Sequence, residues 1–290
     1  MTVRLYPQGQ GVDVGITENG KQITLGPKES NGLEGGMKEV RPMRYGNLGD
    51  DAYMDIYLPE KCNGQMIVVC PGGGYSYCTA DGEGWAVADW CLKHNIAACV
   101  VFYRMPNGHS VVPVTDVQNA FRYCRAHAAG WGVKEIGVMG FSAGGHLAAS
   151  ASTMFVDDVT RPDFSVLVYP VITLDEFVTH AGTRSNLLGR MVFPQSVEKW
   201  SLDTQVKANT PPAILLCSAD DRAVPPENSI RYFRALQKYG VTGELHVFTS
   251  GGHGWGFGTA ETMGKDALGE TQRADFFSIL ERWLGARLQK

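Results

Sequence analysis

Short apolar runs recur along the chain, each closed by glycine, proline or a polar turn. QMIVVC (65–70), IAACVVFY (96–103), IGVMG (136–140), FSVLVY (164–169), AILLCS (213–218) and LHVF (245–248) are such runs. Their length and their content of β-branched residues predict buried strands. AYMDIYLP (52–59) alternates well enough to be a strand, and Pro59 ends it. Between the runs, GWAVADWCLKHN (84–95) has helical spacing, with Val87, Trp90, Cys91 and His94 on one face. Residues 113–129, 143–154, 228–240 and 271–285 also read as helices, the fourth of the five ending at Gly240 as a glycine C-cap does.

Buried runs alternating with amphipathic helices predict an α/β domain with a mostly parallel sheet covered on both faces. Ligands of such sheets bind at the carboxyl ends of the strands. The glycine-rich stretches at 71–74 and 140–145 both follow strands directly, so both are expected there. Residues 170–212 interrupt the rhythm and are expected to form a small cap or insertion that shapes substrate choice. Residues 1–50, rich in Gly, Asn, Lys and Glu with short apolar groups such as Val3 and Leu5, read as an N-terminal extension of irregular chain or edge hairpins. The catalytic domain then occupies 51–290. There is no internal repeat or low-complexity tract.

A length of 290 residues suits this reading, and 44% apolar and 19% charged residues describe a globular chain. The net charge of −4, with a pI near 6.0, argues against nucleic acid or an anionic membrane as partner. Arg122 and Arg125 lie close together without forming a basic stripe. Small neutral or carbohydrate ligands remain open, and the chain is compatible with a homo-oligomer. The seven cysteines (62, 70, 78, 91, 99, 124 and 217) are odd in number and show neither CxxC nor Cys/His metal spacing. Several sit inside apolar runs as small hydrophobes, so no disulfide framework is expected. No apolar stretch reaches the roughly 20 residues needed to span a bilayer, and the start lacks the layout of a signal peptide. A soluble chain is expected, cytoplasmic as given; a secreted or periplasmic form with its leader removed would read the same.

Candidate chemistry sits in VMGFSAGGHLA (138–148). Gly140-Phe141-Ser142-Ala143-Gly144 matches G-x-S-x-G between a predicted strand and a predicted helix, the setting in which a serine nucleophile is mounted on a strained turn. Such a serine needs a base, an acid to orient the base, and donors for the oxyanion. With chain order serine, acid, histidine, the candidates are His180, His246 and His253. His246 lies inside a strand and His180 in the cap. His253, in the loop SGGHGWG beyond the last strand, is favoured. His146, one helical turn after Ser142, is expected to pack or hydrogen-bond instead. Asp220 and Asp221 follow AILLCS; either could be the acid, the other a turn or N-cap residue. Gly72, Gly73 and Gly74 allow close backbone approach to a substrate, and the Ala143 amide adds a donor beside the nucleophile. Neither phosphate-loop motif, GxxxxGK[ST] or GxGxxG, is present.

With these pieces in hand, the chain resembles an α/β-hydrolase of the bacterial acetylxylan-esterase-like type, related to the hormone-sensitive-lipase branch. The resemblance rests on VVCPGGGYS (68–76), VVFYR (100–104), IGVMGFSAGGHLA (136–148), TPPAILLCSADDRAVPPENS (210–229) and ELHVFTSGGHGWG (244–256). It implies Ser142 as nucleophile, His253 as base and Asp221 as acid, the latter because the family's acid precedes a Val-Pro by three residues. It also implies Gly73, Gly74 and Ala143 as oxyanion donors. Pro71 stands where lipase relatives carry the histidine of HGGG, as in the acetylxylan-esterase-like members.

The expected activity is hydrolysis of short acyl esters, acetyl above all, on carbohydrate such as xylan or xylo-oligosaccharides. It would run through an acyl-enzyme with no metal or organic cofactor. Tyr75, Tyr77 and Trp255 flank the catalytic loops and are candidates, with Tyr75 and Trp255 foremost, for an aromatic surface against a sugar ring; ordinary packing is the alternative for each. The alternatives are an amidase, peptidase or arylformamidase-like hydrolase on the same fold. A non-catalytic binding protein would be expected to have lost one of the three catalytic residues.

Overall fold

The computed structural model describes residues 2–4, 17–18, 21–22, 52–258 and 269–289. Each of the seven predicted strands forms. In chain order these are β4 (Tyr53–Tyr57), β5 (Gln65–Cys70), β6 (Ala97–Phe102), β7 (Glu135–Phe141), β8 (Ser165–Val168), β9 (Ala213–Ser218) and β10 (Gly243–Phe248). Three short strands precede them: β1 (Thr2–Arg4), β2 (Thr17–Glu18) and β3 (Lys21–Gln22). Of the extension expected over residues 1–50, only these three strands fall within the described residues. β1 lies antiparallel on β4, and β2 pairs with β3 apart from the main sheet.

The main sheet runs β1-β4-β6-β5-β7-β8-β9-β10. β4 is antiparallel to β6, and every pair from β6 through β10 is parallel. β5, β6, β8 and β9 are buried along their whole length, which explains why they read as continuous apolar runs. β10 is only half buried at the sheet edge, and there His246 reaches Glu244 at 3.1 Å.

The helices are α1 (Ala86–Lys93), α2 (Val111–His127), α3 (Ser142–Thr153), α4 (Ala181–Leu188), α5 (Pro194–Trp200), α6 (Glu227–Lys238) and α7 (Glu270–Arg287). A wide π turn, Asp81–Trp85, leads into α1, so the first turn of that helix differs from the expected α form. At the other end of the domain, α6 closes with Gly240 at φ +68° and the Val241 amide on the Leu236 carbonyl, the expected glycine cap. From β5 the chain crosses through α1 to β6 on one side; from β6 it crosses back past β5, through α2, to β7 on the other. Right-handed crossovers place connections of opposite direction on opposite faces of the sheet. Accordingly α2 packs with α3, while Trp90 of α1 stacks on Phe277 of α7, with ring centroids 6.1 Å apart. The crevice where the direction reverses lies between the carboxyl ends of β5 and β7, and the glycine loop and Ser142 both begin there.

All seven cysteines are free and six are buried, as hydrophobes would be. Arg122 and Arg125 pair with Asp157 and Asp163, which removes them from any basic surface. Among the described residues no helix is long and apolar enough to cross a membrane.

Candidate active site

β7 ends in extended backbone at Phe141, and Ser142 then turns to φ +54° to start α3. A left-handed serine is strained, and it persists here because the surroundings leave no alternative. A Cβ on Gly140 would strike the Gly144 carbonyl, and one on Gly144 would strike the carbonyls of Cys70 and Pro71. These two glycines therefore let strand, helix and the β5 loop approach to backbone contact around the serine.

His253 lies in the loop after β10. Its Nε2 is 2.8 Å from Ser142 Oγ, and its Nδ1 is 2.7 Å from Asp221 Oδ2. Asp221 is buried, and its other oxygen accepts the amides of Ala223 and Val224, both at 2.9 Å. Asp220 points elsewhere: it is exposed and accepts the Gly252 amide at 2.9 Å, bracing the histidine loop from outside. Serine, histidine and Asp221 thus form one hydrogen-bonded line, and the residue one step earlier is a turn aspartate.

The loop after β5 carries Gly73 at φ +126° and Gly74 at φ +65°. Among the described residues, the amides of Gly73, Gly74 and Ala143 find no acceptor. Ala143 stands in the first turn of α3, where helix amides are free by construction. The Gly72 amide is occupied, donating to Glu83 Oε2 at 2.7 Å. Tyr103, in the segment VVFYR, donates its hydroxyl to the Pro71 carbonyl at 2.6 Å and holds the start of the loop.

Glu83 was not singled out in the sequence. It is 3% exposed; its second oxygen accepts the Tyr169 hydroxyl at 2.8 Å, and that hydroxyl accepts the Gly256 amide at 2.8 Å. Burial pushes the Glu83 carboxyl above the ordinary range, while bonds from Tyr169 and the Gly72 amide, and the nearby His253, pull it back. Tyr169 also packs its ring on His253, with centroids 4.8 Å apart. One carboxylate therefore ties the glycine loop to the histidine loop. Its only local signal was an acid between two glycines ahead of a helix, and its partners lie 11 and 86 residues away.

Glu83→Gln would turn an amide NH2 either toward the Gly72 N–H, donor against donor, or toward the Tyr169 hydroxyl, which would then have to accept and give up the bond it donates. We expect kcat for 4-nitrophenyl acetate to fall roughly 100-fold, the scale of one misplaced oxyanion donor, with KM changed less than threefold. Steady-state kinetics on the folded variant check this, and an unaltered kcat would refute it.

Two sequence expectations are corrected. Tyr75 is buried: at φ +59° its side chain turns inward, and its hydroxyl bonds His146 Nδ1 at 2.9 Å. Trp255 is fully buried among Tyr169, Phe248 and Phe276, with its Nε1 on Ser218 Oγ at 3.1 Å. Neither can present a face to a sugar. Tyr77 does line the cleft. His146 bridges Tyr75 and the Trp200 carbonyl, and burial pushes it down to about 4, so it is a neutral core histidine. His180, set aside as a base, stands on the cleft itself.

That cleft has a volume of about 440 Å3 and is lined by Gly73, Gly74, Tyr77, Ser142, His180 and His253, among others. This lies within the range of small-molecule sites. Among the described residues no group of His, Cys, Asp and Glu is arranged to hold a metal.

Comparison with known proteins places this geometry in context. The family model BD-FAE matches residues 54–236. An acetylxylan esterase of Xylanibacter ruminicola is 43% identical over 221 residues, 73% of this chain and 46% of the relative. Endo-1,4-beta-xylanase B of Butyrivibrio fibrisolvens is 33% identical over 231 residues, 72% of this chain and 36% of the relative. The chain thus spans less than half the length of either of these curated relatives. The crystal structure of an acetyl ester-xyloside bifunctional hydrolase from Caldicellulosiruptor lactoaceticus superposes with a TM-score of 0.72 at 31% identity, covering 91% of this chain and 98% of that one.

Proposed function

The chain belongs to the BD-FAE family of α/β-hydrolases, and from that premise we propose that it is a serine esterase removing short acyl groups, acetyl foremost, from carbohydrate of the xylan type. The observation that carries the proposal is the line Asp221–His253–Ser142 beside three amides with no described partner. His253 Nε2 takes the proton from Ser142 Oγ as the oxygen attacks the ester carbonyl. The carbonyl oxygen gains its negative charge facing the amides of Gly73, Gly74 and Ala143. Asp221 holds the Nδ1 proton and stabilises the imidazolium, which then protonates the leaving alkoxide. Water, deprotonated by the same histidine, releases the acid from Ser142.

Acetyl is favoured because, among the described residues, the cleft is lined by glycines, by Ser76, Thr79 and Asn186, and by the rings of Tyr77, His180 and His253, with no leucine, isoleucine, valine or methionine side chain to follow a long acyl chain. Carbohydrate as the alcohol half is supported by the relatives, which are an acetylxylan esterase, an endo-1,4-beta-xylanase and an acetyl ester-xyloside bifunctional hydrolase. The insertion at 170–212, which carries α4 over the cleft, is assigned to shaping the alcohol side. The intact hydrogen-bonded line argues against a protein that only binds.

The test is a substrate series on purified protein. We expect kcat/KM to be at least tenfold higher for 4-nitrophenyl acetate than for the octanoate, and acetate to be released from acetylated xylan. A preference for peptide or formamide substrates over both acetates would move the assignment to an amidase.

A further inference from the structure

α4 begins over the catalytic cleft, and the residue that begins it is His180. Its Nδ1 accepts the Thr183 amide at 3.1 Å and lies 2.9 Å from the Thr183 hydroxyl, which makes it the N-cap of the helix. An amide N–H can only donate, so Nδ1 carries the lone pair and the ring proton resides on Nε2. Among the described residues nothing accepts that Nε2–H. The ring stands against Gly74, 3.6 Å from where a Cβ would be, and lines the cleft with Ser142 and His253. Burial first, and then the charge of His253, hold His180 below its ordinary pKa against the opposite pull of Asp221. The neutral, capping tautomer therefore prevails at neutral pH. α4 is also bound to the glycine loop, because Asn186 Nδ2 donates to the Gly74 carbonyl at 2.8 Å and to Ser76 Oγ at 2.7 Å. The His180 donor and the Gly73 and Gly74 amides thus belong to one connected unit.

A half-buried N–H in a reaction cleft must find an oxygen when substrate displaces water. An acetyl ester offers few. The carbonyl oxygen goes to the amides of Gly73, Gly74 and Ala143, the acetyl methyl has none, and the ester oxygen departs toward His253. What remains is on the alcohol half. Resting on the esterase reading above, we propose that the His180 Nε2–H binds a free hydroxyl oxygen adjacent to the esterified one, making the site selective for acetates of vicinal diols such as sugars.

A paired-substrate cycle tests this with trans-2-hydroxycyclohexyl acetate and cyclohexyl acetate, which differ by that one hydroxyl. The wild type should prefer the hydroxy acetate roughly tenfold in kcat/KM, the scale of one neutral hydrogen bond. His180→Asn and His180→Phe should each reduce the preference to about twofold or less. Asparagine keeps an N-cap acceptor for the Thr183 amide, and its NH2, on a shorter side chain, stops short of the place of the imidazole Nε2, so His180→Asn should retain the wild-type melting temperature within about 2 °C while losing the selectivity. That separates capping from substrate contact. The same preference in wild type and in both variants, or no preference in wild type, would overturn the proposal while leaving the esterase intact. No turnover of these acetates or of 4-nitrophenyl acetate would remove the esterase reading and this contact with it.

Discussion

Ser142→Ala is expected to lower kcat on 4-nitrophenyl acetate roughly 100,000-fold or more, with the fold unchanged. A triad acts as a unit, so losing the nucleophile costs about as much as losing all three members. What survives is binding and the donors of Gly73, Gly74 and Ala143, which the substitution does not touch. The fold should persist because the hydroxyl is bonded to His253 alone among the described residues, and its removal leaves the backbone of the turn as it was. Alanine meets the same backbone strain at φ +54° as serine does, so the turn is no worse off. Kinetics with a thermal melt on the same preparation check both halves. Residual activity above one part in a thousand would sink the assignment of the nucleophile.

Asp221→Asn should cost about 10,000-fold in kcat, whereas Asp220→Asn should cost less than threefold. The difference follows from which atoms face which donors. Asp221 Oδ1 accepts two backbone amides, from Ala223 and Val224, so the carbonyl oxygen of asparagine is compelled to occupy that place. Its NH2 then faces His253 Nδ1, which must accept; the ring proton moves to Nε2, the atom that should take the proton of Ser142. The geometry survives and the tautomer is wrong. Asp220 makes its close bond to the Gly252 amide through one oxygen, which asparagine reproduces. Equal losses at the two positions, measured side by side, would contradict this division.

Much of the fold was legible because its causes are local. A run such as QMIVVC declares a buried strand through its own six residues, and β5 occupies that run. The turn at Ser142 is also local: strand, glycine, serine, glycine and helix lie within a dozen consecutive positions. The order of chemistry-bearing loops along the chain brought His253 forward by elimination, and the structure sets it against Ser142.

The remaining features depended on where side chains point once loops close, and no periodicity records that. Asp220 and Asp221 are chemically identical neighbours at a strand end; only the path of the histidine loop gives one to His253 and the other to Gly252. Tyr75 and Trp255 stand beside catalytic loops in the sequence, yet both face the core, because a residue next to a glycine turn can be thrown to either side. Glu83 gained its place through Tyr169, and His180 through a helix cap that leaves its second nitrogen without a partner among the described residues. By itself the sequence determined the α/β alternation, the serine turn and its histidine, since each is specified within a short stretch. The acid stood between sequence and structure: its own neighbourhood left Asp220 and Asp221 equal, the family resemblance implied Asp221, and the contact with His253 agrees. The carboxylate bracing both loops and the histidine that caps α4 at the cleft were decided only by tertiary structure, because each depends on contacts between segments distant along the chain.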